Sequence, residues 1–103
     1  MTKYHNTKST VKGLKFDSKK ESLRYLELKE MEKRGEITEL ELQVKYDLLV
    51  NGVSCGFYKC DFRYVKKGEV NYIIEDCKGV KTTVYALKKR LMKAIYKIVI
   101  LET

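Results

Sequence analysis

A chain of 103 residues is one domain, large enough for a single core with little left over for a second, and with no proline and only six glycines it has no place for a long linker or low-complexity segment. The formal charge of +8 is unevenly placed: Met1 to Lys20 carries six lysines and one acid, Glu21 to Asp47 eight acids and five bases, and Lys78 to Lys97 seven Lys or Arg and no acid. Two basic surfaces flanking an acidic region favour a polyanionic partner, nucleic acid being the commonest. With no secretory signal and no apolar run of membrane length, the chain is expected in the cytoplasm, away from membranes, with Cys55, Cys60 and Cys77 reduced. Zinc is not expected, because no Cys-x-x-Cys pair occurs and the single histidine, His5, lies in a polar tail.

Residues 1–13 are polar, basic and aperiodic, an arm able to settle on a phosphate backbone. The domain proper is assigned to residues 14–103. Leu14–Phe16 forms a short apolar bridge into a helix start, where Ser18 and Glu21 have capping-box spacing. Apolar positions at Leu23, Leu26, Leu28 and Met31, beside Tyr25, predict a helix over 19–34 that stops at Gly35. From Ile37 to Val50 the pattern approaches a period of two, and Asn51-Gly52 is a strong hairpin signal. A second strand follows over 53–64, bent or bulged at Gly56, then a turn at Lys66-Lys67-Gly68 and a third strand over 69–77. Gly79 interrupts, Thr82 or Thr83 caps a second helix, and Val84, Leu87, Leu91, Ala94 or Ile95, and Ile98 advance by threes and fours as its core face. Lys97–Leu101 reads as a buried strand that can pair parallel to an earlier one. The expected class is therefore α/β, a mixed sheet flanked by two helices.

Strand alternation over the third strand places Asp76 and Lys78 on one face and Glu75 and Cys77 on the other. With Asp61 on a neighbouring strand, the two aspartates converge on one spot that suits a divalent cation. Taken singly, Glu21 reads as a cap, Asp61 as a turn acid, and Asp76 with Lys78 as a same-face ion pair.

The stretches Lys3-Tyr4, Gly13–Glu21, Arg24–Lys29, Leu42-Gln43, Asp61–Tyr64, Asp76–Gly79 and Lys81-Thr82 together resemble a family of small phage and prophage proteins, catalogued as a domain of unknown function and placed in the PD-(D/E)XK nuclease superfamily beside archaeal-type Holliday junction resolvases. The resemblance spans nearly the whole chain and implies a restriction-endonuclease-like αβββαβ core. Cys60 stands where the name-giving proline would be, and proline is not a ligand. The resemblance further implies that Asp61 and Asp76, with Glu21 and the carbonyl of Cys77, hold Mg²⁺, with Mn²⁺ able to substitute. It gives Lys78 the task of positioning or activating water, and Gln43 that of orienting water or a ligand. Beside such a centre, Lys81, Lys88, Lys89, Arg90 and Lys93 are expected to contact the DNA backbone. The expected function is Mg²⁺-dependent endonucleolytic hydrolysis of branched DNA by a homodimer, two-strand cutting requiring two sites. The alternatives are a non-catalytic DNA-binding module of the same fold and a nuclease for linear or nicked ends.

Overall fold

A computed structural model describes residues 9–11, 13–78 and 80–103. The elements run β1 (Ser9–Val11), β2 (Leu14–Phe16), α1 (Lys19–Lys33), β3 (Ile37–Leu42), β4 (Lys45–Val50), β5 (Val53–Lys59), β6 (Phe62–Lys66), β7 (Tyr72–Asp76), α2 (Thr83–Tyr96) and β8 (Leu101–Glu102). Most of the expected arm, residues 1–8 and 12 with His5 among them, lies outside the described residues, as does Gly79. Where the arm is described it corrects the aperiodic reading: β1 pairs antiparallel with β2, Ser9 opposite Phe16, across a turn in which Gly13 has φ +80°.

The central sheet has the order β3-β6-β7-β8, antiparallel except for the parallel β7–β8 pair. Reading only these strands with the helices gives α1-β3-β6-β7-α2-β8, the expected αβββαβ order in a mixed sheet. The two long strands expected over 37–50 and 53–64 are each broken. Gln43 takes φ 55°, and the chain bends opposite it between Lys59 and Phe62. The two breaks stay in register, because the Gln43 amide donates to the Asp61 carbonyl and the Cys60 amide to the Val44 carbonyl. Beyond them β4 and β5 continue as a separate two-stranded ribbon. Its tip is the Asn51-Gly52 turn, with φ of 52° and 79°, as a tight hairpin of this type demands. The bulge expected at Gly56 is present: Asp47 pairs with Phe57 but Leu49 with Ser54, and Gly56 takes φ +100°.

Two cores sit on opposite faces of the central sheet. One gathers Phe16, Tyr25, Leu28, Ile37, Phe62 and Tyr64 under α1; the other gathers Leu48, Tyr58 and Cys60 of the ribbon side with Ile74, Tyr85, Met92 and Ile100. The helix faces are corrected accordingly. In α1 the buried positions are Glu21, Ser22, Tyr25 and Leu28, while Leu23 and Leu26 are exposed. In α2 they are Tyr85 and Met92, seven residues apart; the expected Leu91, Ile95 and Ile98 pack against that core, whereas Val84 and Leu87 face solvent. The rotation of α2 brings the Tyr85 hydroxyl to Glu102, where it donates at 2.7 Å. The third strand is shorter than expected, and the final strand begins at Leu101 rather than Lys97. Its parallel pairing with β7 is as expected. Among the described residues no helix is long and apolar enough to cross a membrane.

Candidate active site at the end of the central sheet

The site grows out of the alternation along β7. Ile74 and Asp76 face the α2 layer and Glu75 the α1 layer, as the packing partners of each show. Glu75, fully buried, is completely provided for: Arg24 Nε and Nη2 donate to its two oxygens at 2.6 and 3.0 Å, the Tyr64 hydroxyl donates at 2.7 Å and the Thr103 hydroxyl at 3.0 Å. A bidentate guanidinium pair of this kind is among the strong, charge-assisted hydrogen-bond arrangements. The Arg24 guanidinium is held further above its usual range by the same contact.

Asp76, only 1% exposed, is placed differently. Its Oδ2 accepts from the Tyr58 hydroxyl at 2.6 Å, and its Oδ1 is 3.5 Å from Lys78 Nζ. The expected Asp76–Lys78 pairing on one face is therefore present. Burial, then the bond to Asp76, push the Tyr58 phenol far above its normal range, so it remains a donor. Lys78 Nζ also lies 4.6 Å from the centre of the Tyr85 ring, which aims the ammonium across the site.

Asp61 occupies the bend before β6 rather than a strand. The bend delivers it nonetheless, because its amide donates to the Glu75 carbonyl while its Oδ2 accepts from the Cys77 amide at 2.8 Å. Burial is the largest force on its carboxyl and the neighbouring Asp76 the next, and together they hold it well above the usual carboxylate range. Glu21 completes the group. Ser18 caps α1 by accepting from the Glu21 amide at 3.1 Å, and the buried Glu21 carboxyl is itself held by a backbone hydrogen bond at Asp17. Its carboxyl is raised by burial, then by Asp17 and Asp76, and it interacts directly with Asp61. Gln43, in its left-handed bend, donates from Nε2 to Glu21 Oε2 at 3.0 Å. The backbone break and the amide contact are thus one feature.

The fold therefore brings Glu21, Asp61, Asp76, Lys78 and Gln43 together. Cys77 contributes its amide; burial pushes its thiol up to about 11, so sulfur is a poor ligand there. Among the described residues no three His, Cys, Asp or Glu side chains already close around a metal position. The side-chain ligands on offer are three carboxyls beside one ammonium, an oxygen donor set that suits a hard divalent cation.

The expected backbone contacts on α2 divide. Lys81 and Lys89 pair with Glu102 at 3.0 and 3.1 Å, whereas Arg90 and Lys93 are exposed and Lys88 lies 5.2 Å from the centre of the Phe57 ring. Sequence reasoning missed Tyr58, Tyr85 and Glu102. Glu102 had a visible signal, being the first acid after the acid-free run from Lys78 to Lys97. Tyr58 had none, since its meeting with Asp76 depends on the ribbon folding back over the sheet.

A mixed α/β domain with a clustered carboxylate site at one end of its sheet is the class that fold and geometry define. Over residues 1–102 the chain matches the family described as "Protein of unknown function (DUF1064)", and it belongs to that family. No curated protein and no solved structure matched it.

Proposed function

We propose that this protein is a divalent-cation-dependent DNA endonuclease of the PD-(D/E)XK type, phage- or prophage-encoded, acting in the bacterial cytoplasm on branched DNA as a homodimer. The observation that carries the reading is the convergence of Glu21, Asp61 and Asp76 with Lys78 at the end of β7, within an αβββαβ sheet. Burial and the neighbouring Asp76 raise the carboxyls of both Glu21 and Asp61, and a bound cation would balance the charge of such a cluster. Mg²⁺ would be held by Asp61 and Asp76 with Glu21 nearby, and Mn²⁺ would substitute. Bound there, such a cation supplies Lewis-acid activation of water and neutralises charge on the phosphate.

The chain's own residues do the rest. Tyr58 fixes the orientation of Asp76, and the Cys77 amide that of Asp61. Gln43 holds Glu21 toward the cluster. Lys78 presents a positive charge where negative charge grows on the phosphoryl oxygens. Exposed Arg90 and Lys93, with Lys88, give the neighbouring face its attraction for the DNA backbone.

The test is incubation of purified protein with labelled four-way junction, flap and linear duplex in Mg²⁺, Mn²⁺ or EDTA. Cation-dependent incision of branched DNA is expected, lost in Asp61→Ala and Lys78→Ala. Absence of any product, or equal cutting by those variants, overturns the reading. Salt-sensitive binding without product would instead identify a DNA-binding module.

A further inference from the structure

A cleft of about 260 Å³ opens beside the carboxylate cluster, between the β4–β5 ribbon and the start of α2. Its walls include Phe57, Tyr58, Lys59, Lys78, Tyr85 and Lys88, and no described carboxylate lines it. Tyr58 and Lys78 form the partition between the cleft and Asp76. Three further facts mark it as more than a gap in packing. Phe57 is 43% exposed although aromatic. Two ammonium groups, Lys45 and Lys88, stand 4.7 and 5.2 Å from the centre of its ring. In the ribbon Lys45 lies directly opposite Lys59. Like charges facing each other across a strand pair destabilise it, and on this face of the ribbon Asp47, opposite Phe57, is one carboxylate against Lys45, Lys59 and the neighbouring Lys88.

We infer that this cleft is a subsite for an unpaired nucleotide next to the cutting position, with a base stacked on Phe57 and the adjoining phosphates held by Lys45, Lys59 and Lys88. The inference rests on the proposed action on DNA and narrows its substrate to structures that offer single-stranded character, such as forks, flaps and junction centres. A paired base shows no free face, because its neighbours in the stack cover it. An exposed ring ringed by cations therefore selects for unstacked bases, whereas lysines alone would accept any duplex.

The chain has no tryptophan, so Phe57→Trp installs a single reporter at the stacking position. In EDTA, a short single-stranded oligonucleotide should quench its emission saturably, at about tenfold lower concentration than a duplex of the same sequence and with no response to inorganic phosphate. Lys88→Glu in the same background should raise the half-quenching concentration about tenfold. Independently, Phe57→Ala should weaken anisotropy-detected binding of a labelled single strand about tenfold. Equal quenching by duplex, or unchanged single-strand binding by Phe57→Ala, overturns the subsite. If the protein cuts branched DNA while the indole never responds, the subsite is wrong and the nuclease reading stands. If the indole responds but no cation supports cutting, the nuclease reading is wrong and the subsite stands.

Discussion

Glu75 and Asp76 are adjacent on one strand, both almost wholly buried, and the protein treats them in opposite ways. Glu75 receives a bidentate arginine and two hydroxyls, so its charge is cancelled and its oxygens are saturated. Asp76 receives one phenol and a lysine 3.5 Å away, and has Asp61 and Glu21 as further acidic neighbours. One residue is an anchor between α1 and the sheet; the other sits in a site with negative charge left over. Burial alone therefore does not separate a structural carboxylate from a reactive one, and the partners each finds do.

This contrast can be broken from either side. The largest effect is expected on cutting: Asp76→Asn should lower cation-dependent cleavage by about 100- to 1,000-fold, while Glu75→Gln, assayed where it remains folded, should keep most of it. Stability should respond in the reverse sense. Glu75→Gln removes the buried anion of the Arg24 guanidinium, leaving it only the exposed Glu27 at 3.1 Å, and should lower the free energy of unfolding by about 3 kcal/mol, measured by urea denaturation. Asp61→Asn should do the opposite, raising stability by about 1 kcal/mol in cation-free buffer, because its amide oxygen can still accept from the Cys77 amide and the repulsion within the cluster falls.

That last effect depends on pH with a definite sign. The Asp61 carboxyl is held above its ordinary value of 3.8 in the folded state, so folding favours its protonated form. Its contribution to stability is therefore fully present below 3.8 and is lost as pH rises through the raised value. The advantage of Asp61→Asn should be negligible at the acid end and grow toward neutral and alkaline pH. Thermal melts of both proteins across that range measure it. An advantage independent of pH would show that charge repulsion is not its origin.

Much of the frame was legible before any coordinates. Ser18 and Glu21 marked the start of α1, Asn51-Gly52 the ribbon turn, Gly56 the bulge, and Thr82 or Thr83 the cap of α2, which is Thr82, each through a local rule that the fold obeys. Strand alternation set Asp76 and Glu75 on opposite faces, and the family resemblance put Asp76 with Asp61 and Glu21. What alternation could not reveal was the paired break at Gln43 and Cys60-Asp61. Positive φ at a glutamine is not a preference of that residue, and the bend is held by cross-strand amides and by the packing of Leu48 and Tyr58 against α2. The helix faces were read correctly at Tyr25, Leu28, Leu91 and Ile95 and misjudged elsewhere for a related reason. In α2 the positions occupied by Val84 and Leu87 looked apolar enough for the core, but Tyr85 and Met92 fill it better and satisfy Glu102 as well. Hidden partners such as Arg24 for Glu75, 51 residues apart in sequence, have no local signature at all.

The most direct test of the contrast is cation binding itself. Titration of Mn²⁺, followed by the loss of the free-ion electron paramagnetic resonance signal, should show saturable binding to the wild type and to Glu75→Gln, and none to Asp76→Asn. Binding retained by Asp76→Asn, or absent from the wild type, would contradict the assignment of this cluster as a divalent-cation site.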